Sequence, residues 1–477
     1  MTTANSSPDG SIEPFSLALS RKAGAPLAEQ ISNGIGAAIL EGRLAAGARL
    51  PSWRDLAAQL GVARGTVKAA YERLADDRLI VASGPRGTHV SNIPPLRRPT
   101  DDDIAGASLA GFFTGFSQSP KLFQMGVPAQ DAFPFKTWSR IMARGARTVA
   151  ALPASYPDPR GEAELRRQIA SYLALARSLQ CRPRQVFITS GYAGAIGFIV
   201  QALELKGGTA WVEEPGFPVT RKALALAGVD AAAVEVDGEG LVVARGIAAA
   251  RRAALAIVTP GQQAPLGMAL SARRREELLA WAHRAGAWIV EDDYLSELQL
   301  AGRAAPALAS PGPPGRVIHF GSFSKTISPA LRLGFIVVPE ELVRHFGDVA
   351  ACLAPAANAT AQHAVAEFLR EGHYLRHLRR MKTLYAARRD RLMRLLRDVA
   401  PHEAMAGLAV LVHLPDGADD AGLVRQAASF DMMPRALSPW YAAPEGRSGL
   451  LLGVTNAAGP RLDEACARLC ALIRKSA

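Results

Sequence analysis

Lys325 stands in a setting that asks for a chemical reason. The stretch GSFSKTISPALRLG (321–334) places it beside Ser322 and Ser324 and upstream of Arg332. The chain holds 9 lysines against 46 arginines, so a basic position kept as lysine is notable. Arginine keeps its proton in a protein, whereas a lysine amine can lose one, and only the neutral amine forms a Schiff base. Neighbouring hydroxyls and a guanidinium suit a phosphate. Taken alone, the stretch also fits a solvated lysine on a surface loop.

Three further segments shift that balance. EDDYLSEL (291–298) closes an apolar run with Asp292, Asp293 and Tyr294; a carboxylate held against a pyridine nitrogen keeps such a ring protonated and electron-withdrawing. SGYAGAI (190–196) puts Gly191, Tyr192 and Ala193 between a strand and a helix, where backbone N–H groups can meet a phosphate. EEPGF (213–217) ends a strand with Phe217, an aromatic able to stack on a flat ring. Each signal is weak alone, since small residues often simply turn a chain and strand-end acids often cap helices. Their common place at strand ends matches where α/β sheets bind ligands.

These groups need a scaffold to hold them. Short apolar runs at 186–189, 211–213, 256–259, 288–291, 317–320 and 334–338 read as buried strands, with amphipathic stretches such as 271–284 between some of them. The alternation predicts an α/β domain built on a mainly parallel sheet. Residues 91–111 carry Pro94, Pro95, Pro99 and the triplet Asp101–Asp103 without helix or strand period, and read as a linker. At 477 residues the chain exceeds one ordinary domain, and its 49% hydrophobic and 21% charged content is that of a globular protein. No apolar run suits a signal peptide or a membrane span, which predicts a cytoplasmic protein. Cys181, Cys352, Cys466 and Cys470 form no metal-binding or disulfide pattern, and read as packing residues.

The net charge is +12, and residues 15–98 alone carry 12 Lys+Arg against 6 Asp+Glu. Within them, Pro26 opens a helical pattern with Leu27, Ile31, Ile35 and Ile39 on one face, closed by Gly42 and Gly47. Ser52 and Asp55 form a capping-box signature for a second helix, Gly61 makes the turn, and a third helix spans about 63–75. Its Val67, Ala70 and Leu74 face inward, leaving Arg64, Thr66, Lys68 and Tyr71 outside. A helix with cationic first turns suits a major groove. Residues 79–90 alternate around Gly84-Pro85-Arg86-Gly87, the pattern of a hairpin with a cation at its tip. A three-helix scaffold for protein contact is the competing reading of this segment.

Residues 15–90 resemble the GntR family of winged helix-turn-helix regulators. The resemblance implies that Ser52 and Arg54 hold phosphates, Arg64, Thr66 and Lys68 face the groove, and Arg86 and Thr88 sit on the wing. Residues 112–477 resemble fold-type-I pyridoxal-phosphate aminotransferases, which implies a large domain with a mainly parallel sheet and a small C-terminal α+β domain. The whole chain is similar to the MocR subfamily, in which the two are fused. By that resemblance Lys325 carries pyridoxal 5′-phosphate as a Schiff base, Asp292 pairs with the ring nitrogen, Tyr294 with the ring hydroxyl, and Phe217 stacks on the ring. Ser322, Ser324, Arg332 and the backbone of Gly191, Tyr192 and Ala193 would hold the phosphate. Tyr156 would reach the phosphate of a neighbouring subunit, which implies a homodimer.

Two departures from the family pattern stand out. Residues 261–267 read GQQAPLG where relatives read S-H-Q-aromatic-P before the Gly, and GLLLGVTN (449–456) puts Leu451 and Leu452 where many aminotransferases keep an arginine for the substrate carboxylate. Arg435, Arg447 and Arg461 are near in sequence but not at that position. The expected function is therefore a PLP-dependent regulator that binds double-stranded operator DNA and senses a small amine or cofactor-like effector, with no metal. The alternatives are a working aminotransferase with an accessory DNA-binding domain and a module that senses the cofactor itself.

Overall fold

The chain divides into units 1–108 and 109–477, and the described residues of the first hold three antiparallel β-strands and three helices. The computed structural model describes residues 19, 25–40, 42–82, 87–91, 120–152, 156–300, 304–310, 315–356, 358–397, 401–404, 408–443 and 446–476. Of the linker expected at 91–111, only Ser91 lies among them.

In the first unit the elements are α1 (Leu27–Leu40), β1 (Arg49–Leu50), α2 (Trp53–Leu60), α3 (Arg64–Asp76), β2 (Ile80–Ala82) and β3 (Thr88–Val90). Ile31, Ile35, Ile39, Leu56, Val67, Ala70 and Leu74 fill its core, as the helical spacing requires. Ser52 Oγ accepts from Asp55 N at 3.2 Å, and Gly61 closes α2 in the left-handed region at φ 62°. Tyr71 departs from expectation. Its ring is buried one turn from Val67 and Leu74, and its hydroxyl donates to Pro51 O at 2.8 Å, so the polar tip finds a partner under the surface. β3 lies between β1 and β2, and β1 has only two residues, too few to show a period in the sequence.

The second unit runs α4 (Phe135–Ala150), α5 (Ala163–Arg177), β4 (Val186–Thr189), α6 (Gly191–Ala202), β5 (Thr209–Glu214), α7 (Pro218–Leu226), β6 (Asp230–Asp237), β7 (Gly240–Leu241), α8 (Val243–Ala249), β8 (Leu255–Val258), α9 (Ala272–Ala285), β9 (Trp288–Asp293), β10 (Val317–Ser322) and β11 (Gly334–Val337). The strands form one eight-stranded sheet in the order β4-β11-β10-β9-β8-β5-β6-β7. β10, β9, β8, β5 and β6 are mutually parallel; β11 and β7 are antiparallel to their neighbours. The six expected strands are all present. β6 adds to those six: its short apolar run is mostly alanine, and only Val234 of DAAAVEVD is buried, so it lacks the pattern of a buried strand.

Helices α10 (Val343–Cys352), α11 (Ala359–Arg370) and α12 (His373–Leu396) lead to β12 (His402–Ala404), β13 (Ala409–His413), α13 (Asp420–Ala428), β14 (Arg435–Ala436), β15 (Gly449–Gly453) and α14 (Leu462–Ser476). Their antiparallel sheet, ordered β12-β13-β15-β14, is the expected small α+β domain. Cys466 and Cys470 are buried as packing residues, whereas Cys352 is exposed, contrary to that reading. No helix among the described residues is long and apolar enough to cross a membrane.

Candidate cofactor site and nucleic-acid interface

Asp292 sits at the carboxyl end of β9, where strand alternation sends its side chain one way and those of Glu291 and Asp293 the other. Glu291 is held by the N–H groups of Leu308 and Ala309 and by His319 Nδ1 at 3.1 Å, and Asp293 by Arg177 Nε at 2.6 Å. Asp292 has no such support, and its buried Oδ1 finds no hydrogen-bond partner. Burial first, then the charges of Asp293 and Glu213, hold its carboxyl well above the usual range.

Lys325 follows β10 and donates from Nζ to Gly126 O at 3.0 Å. Burial pushes the amine down to about 8, against the pull of Asp292 and with help from the charge of Arg435. At pH 7 about one molecule in ten would then hold a neutral amine, against fewer than about one in a thousand for a solvated lysine. Gly126 has φ 82°, and a Cβ there would stand 2.9 Å from Lys325 Nζ, so a bare backbone is what lets this segment meet the lysine.

The first turn of α6 lies close enough to this pair for the charge of Asp292 to act on Tyr192. Gly191 opens α6 at φ 77°, and Ser190 gives that helix no side-chain cap, which leaves its first-turn N–H groups available. A Cβ on Gly191 would stand 3.8 Å from Arg332 Cζ, so the guanidinium faces the helix start. Ser322 Oγ accepts from Ser324 N at 3.2 Å, and Ala193 lies exposed on the same first turn of α6. The Tyr192 hydroxyl shares a 2.6 Å hydrogen bond with Thr220 Oγ1.

Phe217 packs 5.7 Å from the Tyr192 ring and 5.7 Å from that of Trp440. Arg221 ties this loop down, donating to Gly216 O at 3.2 Å and Trp440 O at 2.8 Å. Phe217 and Tyr294 share an apolar cluster with Ala264, Leu411 and Leu451. Burial, reinforced by Asp292 and Glu213, keeps the Tyr294 phenol protonated, so it can act as a donor. Tyr156 is fully exposed and stands outside that cluster. In the divergent GQQAPLG stretch, Gln263 Nε2 donates to Pro215 O at 2.7 Å and its Oε1 accepts from Leu266 N at 2.9 Å. Gln262 is buried with neither amide atom partnered.

Sequence reasoning missed two residues here. Glu213 lay within the motif quoted for Phe217; it accepts from Thr259 N at 3.1 Å and Oγ1 at 2.5 Å, and burial raises it to about 7. Gly126 comes from a distant segment and carries no local signal. Among the described residues no group of acids, histidines or cysteines could hold a metal ion.

In the N-terminal unit Arg64 starts α3 in full exposure, and Lys68 follows one turn later, exposed and 3.6 Å from Glu72. Thr66 is half-buried between them. Exposed Ser52 is engaged in its cap and donates to Asp55 Oδ2 at 2.6 Å, and the Arg54 guanidinium lies 4.8 Å over the Trp53 ring. Thr88 is half-buried on β3, and Arg86 lies outside the described residues. Arg49 was not foreseen. It is exposed on β1 opposite His89, and a Cβ on Gly87 would stand 3.2 Å from its Nε, so it adds a cation at the base of the hairpin.

Comparison with known proteins agrees with both halves. Residues 27–90 match the family described as bacterial regulatory proteins, gntR family, and residues 134–427 match aminotransferase class I and II. The chain is 33% identical to the "Probable rhizopine catabolism regulatory protein MocR" of Rhizobium meliloti, over 92% of each chain. It is 31% identical to the HTH-type transcriptional regulator TauR of Rhodobacter capsulatus, covering 91% of this chain and 94% of that one. The multiple substrate aminotransferase of Thermococcus profundus superposes with a TM-score of 0.69 at 22% identity, over 78% of this chain and 96% of its own, and speaks for the fold. A winged helix-turn-helix unit and an aminotransferase unit in one chain, matched along nearly its whole length by regulators of the same build, place it among the MocR-type members of the GntR family of DNA-binding transcriptional regulators.

Proposed function

We propose that this regulator holds pyridoxal 5′-phosphate on Lys325 and uses it to sense a small amine, altering its grip on double-stranded operator DNA without functioning chiefly as a transaminase. The observation that carries this reading is the pairing of a desolvated Lys325 with a buried, unpartnered Asp292 oxygen beside an uncapped helix start. The residues fit the cofactor. Asp292 offers a carboxylate for the ring nitrogen, Tyr294 a donor for the ring hydroxyl, and Phe217 a stacking face. Arg332, Ser322, Ser324 and the first turn of α6 at Gly191, Tyr192 and Ala193 offer charge and N–H groups for the phosphate.

When bound, the cofactor supplies an electrophilic carbon that amines attack and a ring that withdraws electrons. The chain does the rest. Burial keeps part of Lys325 neutral and nucleophilic, while Asp292, left without another donor, holds a proton between itself and a ring nitrogen. The apolar cluster around Phe217, Tyr294 and Leu451 excludes water from that pairing. Gly126→Ala strains a left-handed position and crowds the lysine. It is expected to lower the cofactor-loaded fraction severalfold, read as the ratio of cofactor to protein absorbance.

We further assign residues 15–90 to the DNA-binding domain, 91–111 to the linker and 112–477 to the sensor. Exposed Tyr156 fits a role across a homodimer, whose two heads would engage two half-sites. An effector shifts DNA binding only if it binds the two arrangements with different affinity, typically about 1–3 kcal/mol of coupling. The test titrates small amines into full-length protein while following cofactor absorbance and operator binding together. A spectral change accompanied by altered DNA affinity is expected. Steady multiple turnover of an amino acid with a keto acid supports the enzyme alternative instead, and a spectral change that leaves DNA binding unmoved at every salt concentration defeats the coupling.

A further inference from the structure

We propose that the aminotransferase-like unit carries a DNA-binding surface of its own, the exposed basic face of α4 and α12, which takes the phosphate backbone of duplex flanking the operator. The winged unit reads bases; this face grips DNA of any sequence.

Most of the surplus positive charge lies outside the winged unit. Residues 1–108 hold 12 Lys+Arg against 11 Asp+Glu, whereas residues 109–477 hold 43 against 32. Two helices account for the second excess. α4 carries Lys136, Arg140, Arg144 and Arg147 with no acid, and α12 carries eight Lys and Arg with Asp390 as its single acid. A solvated helix ordinarily intersperses both signs, since like charges one turn apart repel. Twelve cations against one acid therefore destabilise the free protein, and a polyanion laid along them relieves that repulsion.

Helical period turns these cations outward. Those of α4 recur at intervals of 4, 4 and 3 residues, which is one stripe, and all four are exposed. The other side of α4 packs on α11: Trp138 meets the Phe368 ring edge-on at 5.4 Å, and a Cβ on Gly145 would stand 2.8 Å from Thr360 O. In α12 Tyr374, His377, Met381, Tyr385 and Leu392 are buried, and Arg376, Arg380, Arg391 and Arg394 run along the exposed side. The two stripes meet where Thr137, Arg140, Arg144, Glu371 and His373 line one cleft. Arg144 is engaged by Glu367 and Arg391 by Asp463, but among the described residues Arg140, Arg380 and Arg394 have no carboxylate partner.

The dimensions and the chemistry suit a duplex. The 24 residues of α12 extend about 36 Å at about 1.5 Å per residue, roughly one turn of B-DNA. A guanidinium fork meets phosphate oxygens bidentately. The winged unit on the same chain holds the operator, so flanking duplex is presented to this face at the high effective concentration of a tethered ligand. A second copy fits less well, because an isologous contact would set like charges against each other.

The experiment uses full-length protein and an operator selected from random-sequence DNA. One duplex is trimmed to the selected bases, and a longer one adds about two helical turns, roughly 20 base pairs, on each side. Arg140→Gln/Arg380→Gln/Arg394→Gln removes three stripe charges, and Arg251→Gln/Arg252→Gln/Arg284→Gln removes three exposed charges elsewhere on the same unit. On the long duplex the stripe variant should flatten the slope of log affinity against log salt by about 2.7, at about 0.9 per phosphate contact. Its deficit against wild type should then shrink on the order of fortyfold as salt rises from about 50 to about 200 mM. The control triple should follow wild type on the long duplex, and the stripe variant should follow wild type on the trimmed one. Hydroxyl-radical footprints should show wild type protecting the flanking backbone and the stripe variant protecting the selected bases alone. Equal slopes for wild type and stripe variant on the long duplex overturn the proposal, as do unprotected flanks in wild type. A loss shared by the control triple also overturns it, by assigning the effect to net charge. So does a stripe variant of altered native mass, which marks a contact between copies, or one that loses only binding to phosphatidylglycerol vesicles, which marks a membrane.

Discussion

Replacement of Lys325 by alanine is expected to abolish borohydride-dependent fixation of the cofactor altogether, and to leave a protein that no longer purifies yellow. Mass spectrometry of the reduced protein measures it: wild type gains the mass of one reduced cofactor on the peptide bearing Lys325, and the variant gains none. The effect is all-or-none because, among the described residues, Lys325 is the lysine whose amine burial pushes down. The pH dependence adds a sign. The folded amine sits near 8, so its neutral fraction rises about tenfold per pH unit below that value and levels off above it. The rate at which cofactor-free protein takes up the cofactor should follow the same curve. A variant that keeps a reducible chromophore at unchanged stoichiometry would show that the lysine has been misassigned.

The second large effect concerns Arg64 and Lys68. Both project from the first two turns of α3, and neither contributes to the core formed by Val67, Ala70 and Leu74, so their loss leaves the fold intact. Arg64→Ala is expected to weaken specific operator binding by about 1–3 kcal/mol if the guanidinium reads a base edge. Lys68→Ala should weaken binding to all sequences alike and flatten the slope of log affinity against log salt by about one unit, since each phosphate contact releases roughly one counterion. The double variant, followed by footprinting on a selected operator across a salt series, separates the two. A footprint that survives both substitutions would remove α3 from the interface.

What the sequence made legible was local. The six buried strands announced themselves as apolar runs, and Asp292, Lys325, Gly191 and Phe217 each lie within a few residues of a strand end, so a strand pattern was enough to place them. The winged unit was equally readable because its helices are periodic and α2 starts on a Ser52 cap and ends on Gly61. The failures share one physical cause. Tyr71 was sent outward because its hydroxyl suggested water, when a carbonyl twenty residues upstream supplies its partner. β6 lacks the signature of a buried strand because its apolar run is mostly alanine and only Val234 is buried. Gly126, which receives the Lys325 amine, is 199 residues away from it in the chain. Cross-strand register, which brings Arg435 opposite Leu451, cannot be read along one strand.

The three consecutive acids of β9 make that strand a parity device. Asp292 looks to one side of the sheet, and Glu291 and Asp293 look to the other, into His319 and Arg177. Deleting or inserting one residue between Trp288 and Asp293 would exchange the two sides. A pair of carboxylates would then crowd the ring face, and Arg177 and His319 would share a single one. Loops can lengthen without harm, but here only an even shift keeps the two sides apart, and an even shift moves Asp292 by two residues, about 6.6 Å along the strand and away from Lys325. The six residues of β9 are therefore fixed in number as well as in kind, and an engineered insertion series across this strand should lose cofactor at every step, odd or even.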